Sequence, residues 1–177
     1  VILDHHEKEE FEEIMPEEVV IVNNQCSPRY RNKDLCGAGI VYRFLQAMDD
    51  ELWINYADDY LDLCALANIG DVMDMRSFET RRLVNKGIRS IQNECLKALI
   101  QAQDYSMHSI VNIHNIQWYI VPIINGMVRF GSLKDKELVF RALIEDYEVF
   151  DYKKRATKNN PAEVIKENIY DRAARLC

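Results

Sequence analysis

The sequence predicts a helix-rich α/β fold. Two short apolar runs, Val1 to Leu3 and "VVIVNN" at Val19 to Asn24, have the length and β-branched content of buried strands. Both lie at the front of the chain. The remainder is dominated by segments with apolar residues at helical spacing, bounded by Gly, Pro and capping residues.

The first run leads directly into "DHHE". Asp4, His5 and His6 therefore fall just past a strand, where open α/β sheets bind their ligands. "EKEEFEEIMPEE" follows as an acidic loop or short helix. After the second strand, "QCSPRYRNKDL" is a polar, basic loop. "CGAGIVYRFLQAM" then has helical spacing, with Ile40, Val41, Phe44, Leu45 and Met48 on one apolar face. Its first turn holds Gly37 and Gly39. Glycine costs helix stability there, so close backbone packing or a ligand at the helix N-terminus is expected.

"YADDYLDLCALANIGDVMDM" reads as an apolar helix broken near Gly70, then a loop with Asp71 and Asp74. A turn of helix would put those carboxylates on one face; solvated acids at a helix end are the alternative. "RRLVNKGIRSI", "ECLKALIQAQ" and "SIVNIHNIQWYIV" read as helices, and "PIINGMVRFG" as a turn or helix junction. "KDKELVFRALIEDYEVFDYKK" is predicted helical. So is the tail "NPAEVIKENIYDRAARLC", with Asn160 as cap and Pro161 at the first helical position.

The chain has 177 residues, 48% of them hydrophobic, enough for a real core. Its net charge of −7 argues against attachment to nucleic acid by overall charge. A local basic groove or a metal bridge to phosphate stays open. Arg29, Arg31 and Lys33, with Arg76, Arg81, Arg82, Lys86 and Arg89, are candidates for such a groove; a solvated surface is the alternative. Cys26, Cys36, Cys64, Cys95 and Cys177 are odd in number and form no CxxC pair, so free thiols in a reducing cytoplasm are expected. There is no signal peptide and no apolar stretch long enough for a membrane. Without an initiator methionine, and opening inside an apolar run, the chain reads as a piece of a longer protein.

Imidazole and carboxylate donors suit manganese, zinc or iron better than calcium. Adjacent side chains of a strand point oppositely. His5 and His6 can thus serve one site only if the strand has ended and the chain is turning. Residue types alone leave a surface His-His pair equally open.

At this point several motifs coincide. "VILDHHE" resembles the third motif of the DHH phosphoesterase superfamily. "LANIGDVMDM" is similar to its fourth, with Asp74 the best match to the metal-binding aspartate. "VVIVNNQ…DLCGAGIVYRFLQAM" and "VPIINGMVRFG" are similar to elements of the RecJ branch, in the same order. Asn24 stands where proline is usual, and Asp71 where a small or hydroxyl residue is usual. The superfamily's upstream aspartate motifs and its second domain are not in this sequence.

The resemblance implies a partial DHH catalytic domain over 1–150, and a connecting helix over 151–177 leading to an absent second domain. It implies a metal-dependent phosphodiesterase degrading single-stranded DNA from the 5′ end, with two Mn²⁺ (or Mg²⁺) ions only partly held by this chain, which alone would be inactive or very weak. His5 and Asp74 would be ligands, with His6 and Asp4 catalytic. Arg129, Asn125, Arg81 and Arg82 would bind phosphate or DNA, and Gly37 and Gly39 would mark the helix end near the site. A helicase or single-strand-binding protein is the expected kind of partner. Rival readings are a DHH enzyme on short oligonucleotides or cyclic dinucleotides, and a non-catalytic RecJ-like scaffold.

Overall fold

A computed structural model describes residues 1–7, 18–156 and 161–177. The chain divides into two compact units, Val1–Ile91 and Gln92–Cys177. The fold is helix-rich α/β, as predicted. Most of the acidic stretch after His6 lies outside the described residues, as does Asn160.

In the first unit, strands β1 (Ile2–Asp4) and β2 (Ile21–Asn23) pair in parallel, Leu3 opposite Val22 and Asp4 opposite Asn23. β1 has the predicted length, one residue further on, β2 is shorter than the predicted Val19 to Asn24, and both are less buried than predicted. Leu3 packs on the core, whereas Ile2, Ile21 and Val22 stay exposed. A parallel pair is normally covered on both faces, and this one is not.

Helix α1 spans Gly37–Leu52, with its first turn at the expected glycines. A 3₁₀ turn, Ala57–Tyr60, leads into α2 (Leu61–Gly70), and α3 covers Phe78–Arg89. Leu35, Ile40, Tyr42, Leu61, Cys64 and Leu83 form the core. Two positions of the predicted α1 face, Val41 and Met48, are on the surface instead. Tyr42 takes a core place, because its ring buries while its hydroxyl still reaches polar partners.

In the second unit, α4 (Glu94–Ala102) begins at Asn93, whose side chain accepts from Leu96 N. A short α5 (Asp104–Met107) follows. Next, α6 (Ile113–Asn115), a π-helical step (Ile116–Ile120) and α7 (Val121–Phe130) run on as one helix. "PIINGMVRFG" is therefore helical up to Phe130, not a junction. The π step has a local cause. Pro122 has no N–H for the Trp118 carbonyl, and Val121 N–H reaches back five residues to the Ile116 carbonyl.

Helix α8 covers Leu133–Leu143. Among the described residues, neither the helix predicted to continue beyond it nor one continuous connecting helix over 151–177 is present. Strands β3 (Val149–Lys154) and β4 (Glu163–Asn168) pair antiparallel, and α9 (Ile169–Leu176) is the helix described there. Strand β3 alternates Phe150 and Tyr152 toward α9, where Arg172 and Arg175 lie over their rings at 4.4 and 4.2 Å. Pro161 precedes β4, and the helix cap is Asn168, accepting from Asp171 N at 2.8 Å.

Gly87 is where α3 meets α2. A Cβ there would sit 2.5 Å from the Leu61 carbonyl oxygen and 2.6 Å from the Ala65 Cβ. At Gly126, in α7, an added Cβ meets nothing within 4 Å. In urea denaturation, Gly87→Ala should destabilise by about 1–3 kcal/mol through overpacking. Gly126→Ala should stabilise by about 0.5–1 kcal/mol. Equal effects would show that α2 and α3 do not meet this closely.

Candidate active site

β1 ends at Asp4, so His5 and His6 stand beyond the pleat and the turn brings their rings together, centroids 4.4 Å apart. This meets the condition under which adjacent histidines can share a site. His6 Nδ1 donates to Asp4 Oδ1 at 2.7 Å. The His6 hydrogen bond is the main reason the Asp4 carboxyl is held below its ordinary value. An ionised carboxylate only accepts. Nδ1 therefore carries the hydrogen, and Nε2 of this 77%-exposed ring is left for another group.

Asn23 supports the turn. Its Nδ2 donates to the His6 carbonyl at 2.9 Å and lies 3.5 Å from Asp4 Oδ2. Its Oδ1 accepts from Gln25 N at 2.7 Å. Sequence reasoning did not single out Asn23; the available signal was an amide at the end of the neighbouring parallel strand.

His5 is more enclosed and lies against the start of α1, where a Cβ on Gly37 would be 3.5 Å from its ring. Its Nε2 is 3.8 Å from Asp71 Oδ2. The carboxylate beside His5 is thus that of Asp71, the residue with no assigned role. Asp74 instead accepts from Arg76 Nε at 2.8 Å and from Arg76 N at 2.8 Å, and this pairing holds its carboxyl low. The two aspartates do not share a helix face, because α2 stops at Gly70 and Val72 turns with φ 55°. The Cys36 thiol, at the head of α1, is pushed up by burial, with Asp71 adding to the effect, which keeps it protonated.

Two further groups hold the loops behind the site. Asn68 is fully buried, and its Oδ1 accepts from Cys36 N at 3.2 Å. Gly39 packs on it; an added Cβ would be 3.3 Å from Asn68 Nδ2. Glu79 accepts from Tyr30 at 2.8 Å and Asn32 at 2.9 Å and pairs with Arg43. Burial and Glu79 push the Tyr30 hydroxyl up to about 12.

The basic candidates divide. Lys33 donates to loop carbonyls, including that of Ser27 at 2.8 Å, and Lys86 pairs with Asp58 at 2.7 Å. Arg81 lies over Phe78 at 5.9 Å and reaches the Met75 carbonyl. Arg82 and Arg89 are exposed. In the second unit, Asn125 and Arg129 are exposed four residues apart on α7.

The site thus has one acid–imidazole pair, Asp4–His6, at the end of the parallel strand β1, and a second imidazole, His5, between Asp71 and the head of α1. Comparison with known proteins adds a particular likeness. Over 168 residues, 95% of its length, the chain is 39% identical to a protein of Bacillus subtilis (strain 168). That relative is named, provisionally, as the SPbeta prophage-derived single-strand DNA-specific exonuclease YorK. The chain has the same identity, over the same share of its length, to a protein of Bacillus phage SPbeta, likewise named, provisionally, as a single-strand DNA-specific exonuclease. The chain spans 28% of the length of these curated relatives. No protein-family profile matches it, and no solved structure does.

Because Asp4 titrates below its ordinary value when folded, its stabilising effect is present above the unfolded value and is lost as pH falls through the folded one. A carboxyl-detected NMR titration should find the Asp4 midpoint below that of exposed aspartates. His6→Ala should move it back up. An unmoved midpoint would rule out the Asp4–His6 bond in solution.

Proposed function

We propose that the chain is part of a RecJ-type, metal-dependent phosphodiesterase of the DHH kind, degrading single-stranded DNA from the 5′ end. The observation that carries this reading is the Asp4–His6 pair, next to His5 and the head of α1. The relatives' names supply the substrate class. Within this proposal, a helicase or a single-strand-binding protein would present the strand.

Among the described residues, no three His, Cys, Asp or Glu side chains come together as a metal site. Among those residues the donors are carboxylates beside imidazoles, a mixture that suits Mn²⁺ better than Mg²⁺, whose ligands are oxygens. In the proposal His5 and Asp74 are ligands, and further ligands come from the part of a relative-length protein that this chain does not span. Asp74 reaches a metal only by releasing Arg76, whose side chain is 92% exposed and free to swing. When bound, two metals would polarise the phosphoryl oxygens and lower the pKa of a water.

The chain's own groups have separate tasks. Asp4 fixes the His6 tautomer, so His6 Nε2 faces the substrate phosphate. The head of α1 near His5 favours an anion. Arg129, with its planar fork, holds a phosphate by two parallel charge-assisted hydrogen bonds, and Asn125 steadies the strand beside it. Arg81 and Arg82 belong to the backbone track.

The test uses a protein of the relatives' full length. Chelation should abolish release of nucleotides from linear single strands, and added Mn²⁺ should restore it, with duplex resistant. Activity that survives chelation would sink the reading. His6→Ala should cut turnover far more than Mn²⁺ affinity; equal loss of both would make His6 a ligand.

Arg129→Lys replaces the fork by a point charge. Catalytic efficiency should fall about 10- to 150-fold, as expected for a lost charged hydrogen bond of about 1.5–3 kcal/mol. The loss should be greater on 5′-phosphorylated than on 5′-hydroxyl strands. Unchanged efficiency on both would make Arg129 structural.

A further inference from the structure

The helix from Ile113 to Phe130 has one face buried and one open. Ile116, Ile120 and Met127 are buried in the unit's core. His114, Trp118, Pro122, Asn125 and Arg129 are all exposed. Their spacings of 4, 4, 3 and 4 place them along one side of the helix. Trp118 is 63% exposed, and its ring lies beside that of His114, centroids 5.9 Å apart and tilted 46°. The π step at Ile116–Ile120 sits where Trp118 projects, and such steps are frequent at functional sites.

Charge sets this face apart. The chain carries 29 Asp and Glu among 177 residues. Between Asp104 and Asp135 there is not one, while His108, His114, Arg129 and Lys134 fall in that interval. Among the described residues Arg129 has no acidic partner. An acid-free, cation-bearing helix face within an acidic protein suits a polyanion. Exposed rings beside it suit a polyanion whose flat bases are unpaired.

We infer that this face is a binding platform for single-stranded DNA: Trp118, with His114, stacks on the bases, and Asn125 and Arg129 take the backbone beyond them. The inference rests on the single-strand reading above and deepens it by assigning Trp118 as the base-contacting residue. Stacking on an indole is tolerant of sequence, because every base has a π-face. The platform therefore grips any unpaired strand and excludes duplex, whose bases are already stacked. At about 1.5 Å per residue, His114 to Arg129 extends about 22 Å, enough for several nucleotides.

The experiment uses the 177-residue chain with Trp53→Phe, which leaves Trp118 as its one tryptophan. Its emission is followed while a short oligo-dT strand is added, beside an abasic strand of equal length and a duplex. The strand should quench Trp118; the abasic strand and the duplex should not. With affinity read by the fluorescence anisotropy of a dye-labelled strand, Trp118→Ala should weaken oligo-dT binding about 5- to 150-fold, the range for one base–aromatic stack. Trp118→Phe should restore most of the affinity, and Trp118→Ala should bind the abasic strand as the parent chain does. Because the ring is exposed, circular dichroism should find these variants folded alike. Binding without quenching, at unchanged affinity in Trp118→Ala, would overturn the platform and leave the exonuclease reading standing. Failure to bind any strand would also overturn it, and the chelation assay on the full-length protein would decide the exonuclease reading separately.

Discussion

The side-chain amide of Asn68 joins two helices of the first unit. Its Nδ2 donates to the Cys64 carbonyl at 2.8 Å within α2, and its Oδ1 accepts the backbone N–H of Cys36 at the head of α1. Cys36 has no side-chain cap bond of its own, and Asn68 accepts its backbone N–H, the bond that a Glu or Gln of the first turn makes in a capping box. Both bonds are made in full burial, where an unpaired amide or N–H is costly. The head of α1 is thereby tied to α2, and the residue closing α2 is Asp71. Gly37 against His5, and His5 beside Asp71, both depend on that tie. Gly39 is small because Asn68 and Leu35 fill the space its side chain would need.

The strand pair imposes the other half of the site. Parallel pairing of Asp4 with Asn23 puts an amide next to the Asp-His-His turn, and Asn23 uses both ends of that amide to hold the two loops. The candidate residues His5, His6, Asp71 and Asp74 sit on loops, and these loops are held by buried or half-buried polar groups. The His6 carbonyl is held by Asn23 and its ring by Asp4.

The second unit shows how one residue redirects a helix. Pro122 removes a donor, the helix widens for a turn, and Trp118 projects from the widened turn while Ile116 and Ile120 remain in the core. Farther on, the hairpin lies on α9 through Arg172 and Arg175, which cover aromatic rings with their guanidinium planes. Glu167, 7% exposed at its side chain, meets Arg175 at 2.8 Å, so the buried acid is paired, as burial requires.

Much of the first unit could be read directly from residue order. The strand–Asp-His-His junction, the glycine start of α1 and the break at Gly70 are set by local rules: apolar period, glycine and capping. The second unit's tail could not be read that way. "VFDYKK" and "EVIKEN" carry too few apolar residues to outweigh the helical pattern on either side, and their pairing, from Lys154 with Glu163 out to Val149 with Asn168, is non-local. The sequence by itself determined which donors stand where a strand ends, and hence the kind of chemistry open to them. Only the tertiary structure decided their partners. Asp71 faces His5 while Asp74 turns to Arg76, because Val72 reverses the chain between them. Asn68, silent within an apolar helix, ties that helix to the head of α1. Hydrogen-bond partners 32 positions apart are chosen by how helices pack, which no local pattern encodes.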